Sequence, residues 1–413
     1  MSFVGTQLDV ADARPPPKSE WRTLVVSHDP AFPPASGADL RNYGNAAGAA
    51  ALGPVCLVSV QPQASPPRPS DPMIRTGALS IAGEDGSASV GWWRLRAENR
   101  ISRSALARLK TLVREFRPDT IVIEGIGLFK LLRPLRPLAK QLILDMHNVE
   151  SDLAGQPHSA DKAQSTAAMI AAGLGLRRLE RNAIAVVDRV WVCSRRDHDR
   201  LKALSRRAVP IDIIPNGIPR AESIPMELPV KPAAAGGFPI ILFVGHLGYG
   251  PNIDAAQRLA SVILPRIRRK LPDAKLVLAG RYPKPAVIGL ATLPGVELVE
   301  NPGDLAPLLS AAHLSIVPLA AGGGTRIKVL EAMAWGVPVV ATPLAVEGLD
   351  LEQEVLLSDS DERLADLAIE LCMDPERMAR QRARGHEAVW SRFGPLAVRS
   401  AIRSGLGPDG AGK

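Results

Sequence analysis

Short apolar runs recur along the chain, each followed by a polar or glycine-bearing turn and then by a segment with helical spacing. Leu24–Ser27 (LVVS), Val55–Val60, Thr120–Glu124, Gln141–Asp145 and Arg189–Ser194 (RVWVCS) have the near-continuous apolar character of strands buried on both faces. An Ala-rich stretch reaching about Ala51, then Asn99–Phe116 and Leu174–Ala185, carry helical periodicity between them. A second series begins at Pro239, with strands at Ile240–Val244, Lys275–Ala279, Glu297–Val299, Leu314–Leu319 and Val337–Ala341. Strands alternating with helices predict an α/β protein of two Rossmann-like domains. Ala221–Phe238 is rich in Pro, Ala and Gly and separates the two series. The expected division is a disordered lead (1–20), a first domain (21–225), a linker (226–238), a second domain (239–392), and a terminal helix with a tail (393–413). Gln61–Ser89, rich in Pro, Ser and Gly, reads as a long loop, and the tail from Gly405 reads as disordered.

Leu314–Ala341 carries the densest candidate chemistry. A buried strand closed by Pro318 runs into Gly322, Gly323 and Gly324, then Thr325 at a helix N-cap position, a helix over Arg326–Trp335, and Gly336 as the C′ residue. Such an entry presents backbone N–H groups at the positive end of a helix dipole, which suits a phosphate. At about 100° per residue, Ile327, Leu330 and Ala334 share the face turned to the sheet, while Lys328, Glu331 and Trp335 share an adjoining one. A Lys and a Glu there form either a ligand edge or a plain i, i+3 surface ion pair. Other candidates stand where strands end. Asp145 and His147 follow the Gln141 strand, and polar residues at the carboxyl end of a parallel strand point into a ligand crevice. His246 follows the Ile240 strand, with Asn252 and Asp254 as candidate caps of the next helix, and Glu300 and Asn301 follow the Glu297 strand.

Gly-Gly-Gly-Thr-Arg-Ile-Lys-Val-Leu-Glu-Ala-Met-Ala-Trp-Gly-Val-Pro-Val-Val resembles the donor-binding signature of family 4 retaining glycosyltransferases of the GT-B fold. The resemblance implies two Rossmann-like domains facing each other across a cleft, with the acceptor on the first and a nucleoside-diphosphate sugar on the second. It implies that Glu331 binds the ribose hydroxyls and that Gly322–Thr325 faces the diphosphate and sugar. By the same likeness His147 lies near the donor sugar, Glu300 and Asn301 lie near the base, and the loop holding Gly37 lies in the cleft. The Asn216-Gly217 turn is similar to the one that closes the first domain in this family, and the last helix is expected to cross back to that domain. The chain also departs from the pattern. Gly323 stands where many relatives carry a first glutamate, and His246 and Pro251 stand where many carry an Arg and a Lys. Arg326 and Lys328 are therefore the expected cationic partners of the diphosphate.

Composition narrows the partners. The 413 residues carry a formal charge of +8, which favours anionic ligands, while 4% aromatic content argues against a nucleic-acid stacking platform. Lys130, Arg133, Arg136 and Lys140 recur at helical spacing and suggest a peripheral contact with anionic membrane, although Pro134 and Pro137 interrupt a straight helix. Cys56, Cys193 and Cys372 are scattered, which fits a reducing cytoplasm and no disulfide or zinc framework. With no Asp-x-Asp at a strand end and no clustering of Cys and His, catalysis is expected without metal or cofactor. The loop Ala320–Lys328 contains no carboxylate, so a covalent glycosyl-enzyme has no evident nucleophile there. A nucleotide-sugar epimerase on the same scaffold is the alternative. A phosphorylase lacks its pyridoxal lysine motif here, and a dinucleotide oxidoreductase lacks an ordered G-x-G-x-x-G. A non-catalytic basic module leaves the Glu331 helix unexplained.

Overall fold

The computed structural model describes residues 21–34, 36–63, 68–80, 101–153, 166–229, 239–323 and 326–407. The expected lead lies outside them, as do Gly324 and Thr325 and most of the expected linker. The chain forms two compact units, one of residues 1–152, 171–216 and 395–413, the other of 153–170 and 217–394. The first unit closes at Asn216, whereas a boundary drawn on composition falls at 225. Residues 217–224 instead bury Ile218, Ala221 and Ile224 in the core of the second unit.

The first unit is built on seven strands: β1 (Thr23–Ser27), β2 (Val55–Ser59), β3 (Ile74–Ala78), β4 (Thr120–Glu124), β5 (Gln141–Met146), β6 (Arg189–Val192) and β7 (Ile211–Ile213). They pair in parallel in the order β3-β2-β1-β4-β5-β6-β7. Leu24, Val25 and Val26 are all inaccessible to solvent, as a strand covered on both faces requires. Strand β3 falls inside the stretch expected to be loop. Its sequence, Ile-Arg-Thr-Gly-Ala, has one buried residue, Ile74, and sits at the sheet edge, so no apolar run marks it. The Gly37–Ala50 helix starts from a capping box in which Asp39 N donates to Ser36 Oγ (3.2 Å) and Ser36 N donates to Asp39 Oδ2 (2.8 Å). Gly37 is therefore the exposed first residue of this helix. The Pro395–Leu406 helix belongs to the same unit. It presses Ile402 against Gly48 so closely that a Cβ at Gly48 would overlap the Ile402 side chain. The helix continues through Gly405 and Leu406, both buried, where a disordered tail was expected, and residues 408–413 lie outside the described residues.

The second unit holds β8 (Ile240–His246), β9 (Lys275–Arg281), β10 (Val296–Glu300), β11 (Leu314–Val317), β12 (Val339–Ala341) and β13 (Leu356–Leu357). Their order is β10-β9-β8-β11-β12-β13, again all parallel. In both sheets the order reverses beside the first strand, which places a switch point between β1 and β4 and another between β8 and β11. Gly245 and Gly280 pair across β8 and β9, and a Cβ on Gly280 would run into the Gly245 carbonyl, so only glycine fits. These are the two Rossmann-like sheets expected of the GT-B fold.

Candidate functional site

In the first unit, the Gly37–Ala50 helix turns Arg41, Asn42 and Asn45 toward the carboxyl ends of β4 and β5. Arg41 and Asn45 stand at i, i+4 and share a face. Arg41 Nε and Nη2 donate to Asp145 Oδ2 (2.6 Å) and Oδ1 (2.5 Å), a bidentate fork. Arg41 Nη1 donates to Ile214 O and to Asn216 Oδ1, both at 2.8 Å. Asn45 Nδ2 donates to Glu124 Oε1 and to Asp145 Oδ2, both at 3.0 Å. His147 Nε2 lies 3.3 Å from Glu124 Oε2 and 3.6 Å from Asp145 Oδ2. Asn42 is oriented with its amide nitrogen within reach of three acceptors for its two hydrogens, Glu124 Oε2 (3.1 Å), Ala38 O (3.1 Å) and His147 Nε2 (2.9 Å), an orientation assigned from the network. With Nε2 accepting, the imidazole carries its proton on Nδ1.

The charge states follow from burial and neighbours. Burial alone would raise Asp145, but the Arg41 guanidinium reverses that and holds it below the usual carboxylate range. Glu124 is raised well above that range, by burial first and then by Asp145. His147 is pushed down to about 4 by burial and by Arg41, against the pull of Asp145. The imidazole is thus neutral near pH 7, a hydrogen-bonding group and not a cation. Asp145 has no exposed surface, whereas the His147 side chain keeps 23% of its own.

Glu124, Asp145 and His147 can each bring one ligand atom within 4.8 Å of the others. This grouping of one histidine with two carboxylates contains no cysteine, and spacing along the sequence does not show it. The donor set fits a divalent cation poorly, because Arg41 already supplies the positive charge and holds both Asp145 oxygens.

In the second unit the candidates gather at the carboxyl ends of β8 to β11. The helix after β11 spans Ile327–Ala334, one residue shorter at each end than expected. Arg326 takes the N-cap position and donates from Nη2 to Gly322 O (2.8 Å), drawing the glycine turn against the helix. Gly322 (φ +117°) and Gly336 (φ +64°) adopt backbone conformations that favour glycine. Lys328 and Glu331 do not pair with each other. Lys328 Nζ donates to Asn252 Oδ1 (2.7 Å) and lies 4.3 Å from the centre of the Phe243 ring. Burial, and then Arg326, push the Lys328 amine down to about 7. Asn252 Nδ2 in turn donates to His246 O (3.0 Å), so Asn252 ties the end of β8 to the donor helix and does not cap its own helix, whose N-cap is Tyr249. Glu331 is buried and accepts from Arg220 Nη2 at 2.8 Å. Burial raises its carboxyl, and Arg220 works in the other direction.

His246 is exposed, accepts from Gly248 N through Nδ1 (3.2 Å), and tilts against Tyr282 with ring centres 5.3 Å apart. Asn301 Oδ1 accepts from Tyr282 N (2.9 Å), and both residues hold positive φ, at +48° and +53°. Non-glycine residues in that region store local strain. The structure therefore brings His246, Tyr282 and Asn301 together, with Glu300 beside them as the exposed last residue of β10. Sequence reasoning passed over Arg41, Asn42, Asn45, Arg220 and Tyr282. The one available signal was Arg41, Asn42 and Asn45 in a helix otherwise dominated by Ala and Gly. Arg220 carries no sequence signal, because it reaches Glu331 from 111 positions away.

Two family models match the chain: the glycosyl transferase 4-like domain over residues 24–217 and glycosyl transferases group 1 over residues 238–374. No curated protein matches it. Similar solved structures include sucrose-phosphate synthase from Thermosynechococcus elongatus, with a TM-score of 0.73 and 19% identity over 93% of this chain and 98% of that one. Another is Anabaena Alr3699/HepE in complex with UDP and glucose, at 0.65 and 13% over 94% and 99%. A third is WaaG, a glycosyltransferase involved in lipopolysaccharide biosynthesis, at 0.62 and 14% over 93% and 99%. At these identities the likeness is one of fold.

Proposed function

The chain belongs to the group 1 glycosyltransferases, and on that premise we propose that it moves a sugar from a nucleoside-diphosphate sugar to a glycan or lipid-linked acceptor with retention of anomeric configuration. The observation that carries the donor assignment is the buried Glu331 carboxylate on the helix entered through Gly322 and Gly323. A buried carboxylate accepts two vicinal hydroxyls well, as the ribose of a nucleotide offers them. The Anabaena protein of the same fold is described in complex with UDP and glucose, which supports a nucleotide sugar as the ligand class.

The second unit meets the diphosphate with the glycine-turn amides, the helix dipole and the nearby Arg326 and Lys328. His246, Tyr282, Glu300 and Asn301 line the adjoining strand ends and suit the base. In the first unit, neutral His147 offers an Nδ1–H to a sugar hydroxyl. Asp145 acts through its neighbours, because it is fully enclosed and orients Arg41. Inversion needs a general base beside the acceptor, and a covalent route needs a carboxylate under the sugar carbon. Ala320–Lys328 contains neither Asp nor Glu, which favours attack on the face the diphosphate leaves, with a phosphate oxygen taking the acceptor proton. An epimerase would return an epimeric nucleotide sugar and form no glycoside with the acceptor. The test is incubation with α-linked nucleotide sugars and candidate glycan acceptors, followed by NMR of the product. An α-linked product is expected, and a β-linked product would mean inversion.

A further inference from the structure

We propose that Arg220 is a positioning residue for donor binding, keeping the Glu331 side chain a carboxylate and fixing which of its oxygens face the ligand. The proposal rests on the reading of Glu331 as the group that accepts the nucleotide's ribose hydroxyls.

Arg220 Nη2 donates to Glu331 Oε1 at 2.8 Å, and among the described residues no other side chain or amide donates to this carboxylate. One oxygen is thereby held, and the lone pairs of the other remain for a ligand. The Glu331 side chain keeps only 8% of its surface while Arg220 keeps 43% of its own, so the cation sits at the rim of the enclosed acid. Its placement is built in and not left to a mobile side chain. Arg220 holds a left-handed backbone, φ +49°, and begins the turn Ala221–Ser223. On either side Ile218, Ala221 and Ile224 are buried in the core of the same unit, and Ile218 N donates to Phe393 O (3.1 Å). A non-glycine residue kept in that conformation by its surroundings is a recurring feature of ligand clamps.

Among the described residues, the charged groups that act on the Glu331 carboxyl are Arg220 and Asp304. Asp304, in the loop after β10, works against ionisation. Lys328, on the same helix, is engaged with Asn252. Arg382, on the neighbouring Pro375–Phe393 helix, donates to Gly336 O and Pro229 O. Without Arg220, burial and Asp304 would favour the neutral acid, and a neutral carboxyl accepts two hydroxyls poorly. Donor affinity in such a variant falls as pH falls, and more steeply than in the wild type.

The experiment is calorimetric titration with UDP, GDP and ADP from pH 5.5 to 8.5 on the full chain, comparing wild type, Arg220→Gln and Arg220→Lys. The ionisation of the nucleotide phosphate is common to all three and cancels in the ratio. In parallel, carbon-detected NMR follows the Glu331 carboxyl in the ligand-free proteins. The proposal expects Arg220→Gln to bind at least tenfold more weakly at pH 5.5, with the ratio to wild type shrinking toward pH 8.5. It also expects Arg220→Lys to restore most of the affinity, and the Glu331 titration to move upward in Arg220→Gln. A loss that is the same at every pH, or none at all, with an unmoved Glu331 titration, overturns it. If the wild type binds none of the three nucleotides, the donor assignment itself fails. The NMR titration still decides whether Arg220 sets the charge of Glu331.

Discussion

Glu124→Gln should stabilise the protein at alkaline pH, although it removes a charge from the centre of a hydrogen-bonded network. Glu124 is buried, its carboxyl is raised above the ordinary 4.5 by burial and then by Asp145, while Arg41 and, after it, the hydrogen bond from Asn45 favour its ionised form without reversing that. The sign follows from proton linkage. Between the unfolded value and the raised folded value, the folded state binds more protons than the unfolded one, so stability falls as pH rises. Above the folded value the penalty is constant. Glutamine mimics the protonated acid: its oxygen still accepts from Asn45, and its amide can donate toward Asp145 or His147. Relieving a buried polar group of an unfavourable environment is worth on the order of 1–3 kcal/mol. For a domain of roughly 200 residues that corresponds to about 2–4 °C in Tm per kcal/mol. Asp145 contributes in the opposite sense, stabilising at neutral pH and losing that effect as pH falls through its depressed value, and the Arg41 fork that sets most of that depression is common to both proteins. Thermal unfolding of both from pH 4.5 to 8.5 is the assay. The expected result is near-equal stability at pH 4.5 and a growing advantage for Glu124→Gln up to pH 8. A variant less stable by the same margin at every pH would refute the reasoning, since it would mean that Glu124 is a well-satisfied carboxylate.

Activity should survive a chelator, because Arg41 occupies the cation's place among Glu124, Asp145 and His147; loss on chelation with rescue by Mn²⁺ or Mg²⁺ would contradict this. Gly280→Ala should destabilise the second unit by more than about 3 kcal/mol, because its Cβ would meet the Gly245 carbonyl and a backbone cannot rotate away; denaturant unfolding measures it. Binding to anionic vesicles should be weak and released by salt, since Arg136 pairs with Asp188 and Lys140 with Asp119, which takes up two of the four cations of the basic series. Sedimentation with vesicles of graded anionic lipid content checks it. Among the described residues no helix is long and apolar enough to cross a membrane.

The sheets were legible because parallel strands covered on both faces must be continuous apolar runs, as β1, β4 and β5 are. Strand β3 was not, since an edge strand needs only Ile74 buried and spends its other positions on Arg, Thr and Gly. The donor helix was legible for a different reason. Glycine turns, a helix and a C′ glycine are local features, and Gly336 does take its left-handed conformation. Partnerships were illegible. Helical spacing allowed Lys328 to meet Glu331, yet Asn252 captures the lysine and Arg220 captures the glutamate, each across a long stretch of sequence. The Arg41–Asp145 fork was hidden for the same reason. Arg41 precedes the Ala-rich stretch whose periodicity marks the helix, and only its fork with Asp145 at the end of β5 shows that the charge faces inward. Ser36 and Asp39, which begin that helix, form a three-residue-spaced cap that could have marked its start.

The claim on which the rest depends is that Glu331 holds the nucleotide of the donor. The most direct test is kcat/KM at sub-saturating nucleotide sugar for the wild type and Glu331→Ala, read as release of nucleoside diphosphate in the presence of acceptor. Losing a buried charge-assisted pair of hydrogen bonds should cost about 2–4 kcal/mol, or roughly 30- to 1,000-fold, with the fold intact by circular dichroism. Near-wild-type turnover in Glu331→Ala would contradict the account.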